Sequence, residues 1–395
     1  MSKLLFNDRM TIKTVENGKT SDYVCEFHKK YVDAAKNLRD KEEWKHSGSG
    51  ASFRGDEYDY AVSEETDNSY FDSLGFFDGK DDIIFSVTVN EVSGVMRKDL
   101  TAECDGESHI VHSRENVFAG ATPNAEKSKF VTCVKNGYIN SHLAVYDLKN
   151  NDYYTLTDGD CADFDAVFSV RDDNAILFAS KGAGRDRDGN FVKYSNSSLY
   201  RYDTLSGDME EILSDKERSL TKPKDDADGN LYFIRKPETE EKRSAWKILL
   251  DIILIPWRLL VAIYRFLETF TLVFTGRKFI KDGSSPVKTK DRDGGKLFIE
   301  GNLINAEEEY KRNLRHKDAY AGFAPHSWEL VKRDKDGNVT TVAKSVIDYC
   351  LGENGDVYYV NGKHVLKVSS DGKREKIADV NIKKRPLQTA SLING

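Results

Sequence analysis

Short apolar runs return along most of this chain at a regular interval, each broken off by a cluster of Asp, Asn and Gly. One class comprises IIFSVTV (83–89), KFVTCV (129–134), AILFAS (175–180), LYFIRK (231–236) and VYYV (357–360). A second follows at a modest distance: LAVYDLKNN (143–151), LYRYDTLSG (199–207), WELVKRDKDG (328–337) and HVLKVSSDG (364–372). A third follows the second: YYTLT (153–157), EEILS (210–214), VTTVA (339–343) and REKIA (374–378). Runs of this length and composition read as strands. The polar tips between them supply the positive φ angles and side-chain turn bonds that tight hairpins need. Strand sets repeating at roughly 40–55 residues predict the blades of a β-propeller. One such unit cannot bury both its faces, and stacking units radially does so. The pattern predicts an all-β chain of about six blades, with seven possible.

Two stretches, FSVRDDNAILFAS…SSLYRYDTLSGDMEEIL (168–213) and TPNAEKSKFVTCV…SHLAVYDLKNNDYYTLT (122–157), resemble the repeat of TolB-like, or WD40-like (PD40), β-propellers. That repeat runs from a turn of small and acidic residues through a strand, a YDL-x-T-G strand and turn, and an LT return strand. The likeness extends over residues 60–235 and 296–380. It implies a propeller and, from relatives that are protein-binding propellers or the non-catalytic propellers of oligopeptidases, an interaction role.

The periodicity changes in two places. Near the start, Thr11–Val15 predicts a strand. Tyr23–Trp44 predicts a helix, from Val24, Phe27, Tyr31, Ala34 and Leu38 at near-helical spacing. The other place is WKILLDIILIPWRLLVAIYRFLETFTLVFT (246–275), nearly solid hydrocarbon in a polar chain. Its polar positions Lys247, Asp251, Arg258, Arg265 and Glu268 fall on a stripe roughly 100° wide at helical spacing. The rest of the surface is apolar, with Trp246, Ile248, Leu249, Ile252, Ile253, Trp257, Leu260, Ile263, Tyr264, Phe266, Leu267, Phe270, Val273 and Phe274 as candidate contacts for a membrane or partner.

A spanning helix needs about 20 mostly uncharged residues, and here a charge arrives about every seven. If blades on both sides close one ring, they lie on one side of any bilayer, and a single crossing would separate them. Basic residues at both ends, Lys242 and Arg243 before and Arg277, Lys278 and Lys281 after, agree. The expectation is a helix lying in the interface, or entering and returning as a hairpin broken near Pro256. A helix buried against a protein partner or a second copy is the alternative. The predicted organisation is a partly helical N-terminal segment (1–56), blades (57–237), the inserted helix with flexible flanks (238–295) and the remaining blades with ring closure (296–395).

Composition narrows the function classes. The 395 residues carry 59 basic and 66 acidic side chains, a net charge of −7, which argues against a nucleic-acid-coating protein. The five cysteines are scattered, never at CxxC spacing, and predict reduced thiols with no zinc ribbon or disulfide framework. Leu4-Leu5-Phe6 is too short an apolar run for a signal peptide, so a cytoplasmic, peripherally membrane-associated protein is expected.

Candidate chemistry is sparse. Four Asp-x-Asp-Gly stretches, at 186–189, 226–229, 291–294 and 334–337, lack the first ligand and closing Glu of a calcium-binding EF-hand loop and predict hairpin turns. His109 and His112, near Asp105 and Glu107, stand three apart, which on a regular strand puts them on opposite faces. No nucleophile elbow, Walker A or dinucleotide loop is present. The reading is a non-enzymatic propeller scaffold, with no catalytic, cofactor or metal residues. It docks on membrane lipid or a membrane-bound protein through 246–275 and meets other proteins through the ring face. The alternatives are an enzyme whose site gathers carboxylates or histidines in the central channel, and an oligomer built through the apolar helix.

Overall fold

In a computed structural model of the chain we describe residues 3–8, 10–46, 69–102, 106–137, 139–237, 296–299, 302–352, 355–380 and 392–394. The chain divides into two compact units, Met1–Glu238 with Gly295–Gly395, and Thr239–Gly294. The second unit lies outside the described residues.

Antiparallel sheets make up the first unit. β1 (Leu4–Asp8), β2 (Thr11–Glu16) and β3 (Lys19–Val24) form a meander. α1 (Glu26–His46) follows, and then β4 (Tyr70–Phe76), β5 (Asp82–Val89), β6 (Val92–Asp99) and β7 (Ser108–Ser113) form a four-stranded sheet in chain order. β8 (Asn116–Pro123), β9 (Lys129–Asn136), β10 (Asn140–Asp147) and β11 (Asp152–Thr155) form the next run. β12 (Cys161–Phe168), β13 (Ala175–Arg185), β15 (Ser198–Asp203) and β16 (Met209–Leu213) repeat it, with β14 (Phe191–Tyr194) as an added hairpin arm on β13. A lone parallel bridge, Ser141 to Ala162, joins these two runs into one nine-stranded sheet.

β17 (Arg218–Asp225) pairs with β18 (Leu231–Pro237). Among the described residues β19 (Lys296–Ile299) and β20 (Asn302–Asn305) pair only with each other, and they lead into α2 (Ala306–Arg315). β21 (Glu329–Arg333) and β22 (Val339–Lys344) complete the sheet begun by β17. β23 (Asp348–Leu351), β24 (Val357–Val360), β25 (His364–Val368) and β26 (Arg374–Asp379) form the last four-stranded sheet in chain order. Finally β27 (Leu392–Asn394) returns to pair with β1, Leu4 opposite Asn394 and Phe6 opposite Leu392. The C-terminal strand thus completes the N-terminal sheet and ties the two ends of the unit together.

The apolar repeats occupy fixed places. The first class of runs is the second strand of each sheet (β5, β9, β13, β18, β24), the second class the third strand, and the third class the fourth. Second strands are the most deeply buried: Ile83, Ile84, Phe85, Phe130, Val131, Ile176, Phe178, Ile234, Tyr359 and Val360 are all fully or almost fully removed from solvent. A strand whose two faces pack on two neighbouring sheets reads as a continuous apolar run rather than an alternating one.

First strands touch one another in a closed circuit, β27 to β4, β4 to β8, β8 to β12, β12 to β17, and β23 to β27. The remaining link, β17 to β23, is made by the Tyr349 hydroxyl on the Lys222 carbonyl (2.6 Å) and the Lys224 ammonium on the Tyr349 carbonyl (2.6 Å). The unit is all-β and propeller-like.

The excursion from 238 to 328 is a loop of one sheet. β18 and β21 pair with each other over five registered residues, from Leu231–Arg333 to Arg235–Glu329. The neck of that loop is held by Glu329. Its carboxylate meets Arg235 (2.7 Å), Arg218 (3.1 Å) and Lys344 (3.6 Å). The strand resumption expected at residue 296 is therefore a separate hairpin, and the sheet itself resumes at Glu329.

Three of the Asp-x-Asp-Gly stretches are turns. In each, the first Asp accepts the backbone N–H of an Asn four residues on (Asn190, Asn230, Asn338), and the glycine has φ between 83° and 86°. The fourth, at 291–294, lies outside the described residues.

Candidate functional site

Four of the first strands depart from regular β structure. β4 shifts register between Phe71 and Ser73, β8 between Ala119 and Thr122, β12 between Phe164 and Val167, and β17 between Thr221 and Lys224. Three of these bulges contain a residue in the left-handed region: Gly120 (φ 102°), Asp165 (φ 55°) and Lys222 (φ 53°). Such a conformation costs a non-glycine residue of order 1 kcal/mol or more and persists when its surroundings impose it. A bulge also re-aims a side chain. In the bulges of β4, β12 and β17 the re-aimed side chains are charged: Asp72, Asp165 and Lys222.

Lys222 sits between two carboxylates from its neighbours, Asp348 (3.4 Å) and Asp165 (3.7 Å), and its backbone N–H donates to Asp165 (3.1 Å). Asp348 is 4% exposed. A second set comes from the second strands. Lys135, Lys181 and Lys236 each pair with the second residue of the adjoining first strand, Val117, Ala162 and Ser219. Three consecutive sheets therefore place a lysine at one equivalent position.

These lysines find different partners. Asp72 lies beside Lys135 and accepts from the Thr88 hydroxyl (3.1 Å). The Lys181 ammonium lies over the Tyr194 ring (4.0 Å) and the Phe164 ring (5.5 Å), and that of Lys236 over Trp328 (4.3 Å).

Burial and neighbouring charge pull in different directions. Burial pushes the Asp72 carboxyl up to about 6, against Lys135 and Thr88, which favour its ionised form. Burial lowers Lys135, but Asp72, Tyr70, Cys133 and Asp165 together oppose it, and the net shift is upward. Lys181 is lowered, first by burial and then by the proximity of Lys135 and Lys236, with only Asp165 opposing. The axis is thus a paired network of charges from different sheets, in which one carboxyl is tuned toward neutral pH.

Of the residues singled out from sequence, the fourteen apolar positions between Trp246 and Phe274 lie outside the described residues. Among the described residues, no helix is long and apolar enough to cross a membrane. His109 and His112, expected on opposite faces of a strand, have rings in edge-to-face contact at 6.2 Å. The reason is a bulge. β6 pairs Val95 with Val111 and Met96 with His109, which leaves Ile110 unpaired and shifts the alternation by one. Glu107 has other work: it accepts from the Tyr23 hydroxyl (2.6 Å) and from the backbone N–H groups of Glu26 (2.8 Å) and Phe27 (2.9 Å), capping the start of α1. Sequence reading missed Asp72, Asp165 and Lys222 because they lie in bulged strands that lack apolar alternation. The available signal was the lysine recurring after each second-strand run, in FVTCVK, LFASK and FIRK.

No family model matches the chain, and no curated protein matches it. Among solved structures, TolB from Acinetobacter baumannii is similar in fold, with a TM-score of 0.50 at 11% identity. The alignment covers 99% of this chain and 66% of that one. The fold is propeller-like. A chain from a nidogen/laminin complex (TM-score 0.47, 9% identity, 99% of this chain and 98% of that chain) and the tricorn protease (0.43, 14%, 80% and 27%) are more distant in shape. This chain therefore spans just under two thirds of the TolB chain and about a quarter of the protease. The likeness to TolB agrees with the resemblance carried by the repeats, at the level of fold alone.

Proposed function

We propose that the chain is a six-bladed ring acting as a non-enzymatic interaction platform. In this reading it is held at a membrane surface, on the cytoplasmic side, by the apolar segment 246–275. The observation that carries the platform reading is the pairing of charge at the axis. Asp165 and Asp348 share one lysine, Lys222, and we read this contact across neighbouring sheets as fixing the geometry of the ring. The direct pairing of β18 with β21 supports the docking role, because the excursion leaves and rejoins a single sheet.

The test is flotation of the full chain with anionic liposomes, alongside a variant in which 246–276 is replaced by a Gly/Ser linker. Flotation of the first and not the second, with the linker variant still folded and monomeric, is expected. An intact chain that stays at the bottom of the gradient sinks the membrane reading. A detergent-independent oligomer abolished by Ile253→Asp with Leu260→Asp would assign the helix to self-association instead.

One observation favours a second reading, an enzyme with its site at the axis. Asp72 is tuned to about 6 beside a lysine, a pairing suited to proton transfer near neutral pH. Turnover of any substrate class that is lost in Asp72→Asn while the fold is kept would replace the platform reading with this one.

A further inference from the structure

We propose that His142, Cys161 and Asp163 form a zinc site at the junction of two neighbouring sheets. It is independent of the axial charges and of the apolar segment.

The site is built by topology. The bridge between Ser141 of β10 and Ala162 of β12 is, among the described residues, the one parallel pairing in the molecule. It sets the third strand of one four-stranded run against the first strand of the next. Cys161 and Asp163, two apart on β12, point to the same face of their strand. His142 follows the bridging Ser141 on β10.

The result is a nitrogen, a sulfur and a carboxylate oxygen that all lie within 4.8 Å of one another, with Cys161 Sγ 3.9 Å from His142 Nδ1. In a tetrahedral zinc site, with bonds of about 2.0–2.3 Å, neighbouring ligand atoms stand roughly 3.3–3.8 Å apart. Closing this set around an ion therefore asks for side-chain movements of about a few tenths of an ångström to 1 Å.

The carboxylate is already oriented. Asp163 is 2% exposed. Its Oδ1 accepts from the Ser180 hydroxyl (2.6 Å), and its Oδ2 from the Thr157 hydroxyl (2.5 Å) and the Leu143 N–H (3.3 Å). Donors of this kind, outside the ligand set, fix the direction of a ligating carboxylate and are a regular part of metal sites. A carboxylate has about four acceptor positions, so one remains for a metal. The Asp158 carbonyl, 3.5 Å from Cys161 Sγ, is placed to supply a fourth ligand, with water as the other source. His142 and Cys161 are both half-exposed, which leaves a path from solvent.

The donor set selects the ion. Sulfur with imidazole suits Zn²⁺ and disfavours Mg²⁺ and Ca²⁺, which take oxygen ligands. On binding, the Cys161 thiol proton passes to solvent and the sulfur bonds to the metal as thiolate.

Co²⁺ titration of the purified full-length protein, stripped of metal and kept reduced, is the test. The expected result is a thiolate-to-cobalt charge-transfer band with tetrahedral ligand-field absorption, lost when stoichiometric Zn²⁺ is added. Cys161→Ser should abolish the band. His142→Asn should raise the Kd for Co²⁺ at least about tenfold. Cys350→Ser, a thiol on β23 outside this cluster, should leave it unchanged. Both half-exposed substitutions should preserve the circular dichroism of the parent, and a Zn²⁺-induced rise in Tm should occur in the parent and not in Cys161→Ser. Absence of the band at excess Co²⁺, or its persistence in Cys161→Ser, overturns the proposal.

Discussion

The innermost strand of each sheet and the three strands outside it are built on opposite principles. Of the outer strands, the second and third are largely apolar and interlock with their neighbours, while the fourth is largely exposed. Phe130 stacks on Tyr146 at 4.8 Å between ring centroids and Phe178 on Tyr200 at 5.6 Å, with Val131, Val145 and Ile176 filling the space between sheets. The inner strands carry bulges, left-handed residues and paired charges. The outer strands supply the stability that lets the inner ones hold conformations and ionic contacts that would not persist alone. A propeller can therefore keep its blades while its axis is rewritten.

The sharpest way to break the contrast is to remove outer packing. Phe178→Ala, at a fully buried position, should cost about 4 kcal/mol in urea unfolding. A loss below 1 kcal/mol would mean that the outer strands are not the source of stability. Next comes the axis. Lys222→Met leaves the almost fully buried Asp348 without the lysine between it and Asp165, and should cost about 3 kcal/mol. The same loss in a double variant that also carries Asp348→Leu would show that the ion pair is not what is being read.

Two carboxylates then separate the regions by pH. Glu329, on an outer strand, is held below the usual range although burial works the other way, because Arg235, Lys344 and Arg218 surround it. With a depressed folded pKa, its contribution is present above about pH 4.5 and is lost as pH falls through the folded value. Glu329→Gln should therefore destabilise by about 1–2 kcal/mol at neutral pH, and the difference should close in acid.

Asp72, on an inner strand, has its folded pKa raised to about 6 from 3.8. The folded state binds the extra proton between those values, so this group's contribution grows as pH falls from about 6 to 4, by up to ~1.4 kcal/mol per pH unit. Asp72→Asn should flatten that slope. Unfolding curves from pH 4 to 8 read both effects, and slopes of the same sign for the two residues would erase the distinction.

The smallest effect is expected at Lys181, whose charge is disfavoured by burial and by Lys135 and Lys236. Lys181→Met should be neutral or stabilising by up to about 1 kcal/mol. A clear loss would mean that its contacts with Tyr194 and Phe164 outweigh the charge repulsion.

The sequence by itself determined the outer strands. Runs such as IIFSVTV and AILFAS are legible because a strand buried on both faces must be continuously apolar. The hairpin tips are legible because left-handed turns demand Gly and Asn. It also marked 246–275 as a foreign segment, since no polar chain spends that much hydrocarbon without something to cover it.

Other features were settled only by tertiary structure. LLFND, too short to carry a signal on its own, became the strand that receives Leu392–Asn394 and closes the N-terminal sheet. A bulge at Ile110, set by pairing with β6, brought His109 and His112 together against the alternation rule. Asp165, Lys222 and Asp348 are scattered over 184 positions and meet because three different sheets converge on one axis. His142 meets Cys161 through a single parallel bridge. Local pattern encodes which face of a strand is buried. Which distant strands share an edge depends on the closure of the ring, and no window of sequence contains that information.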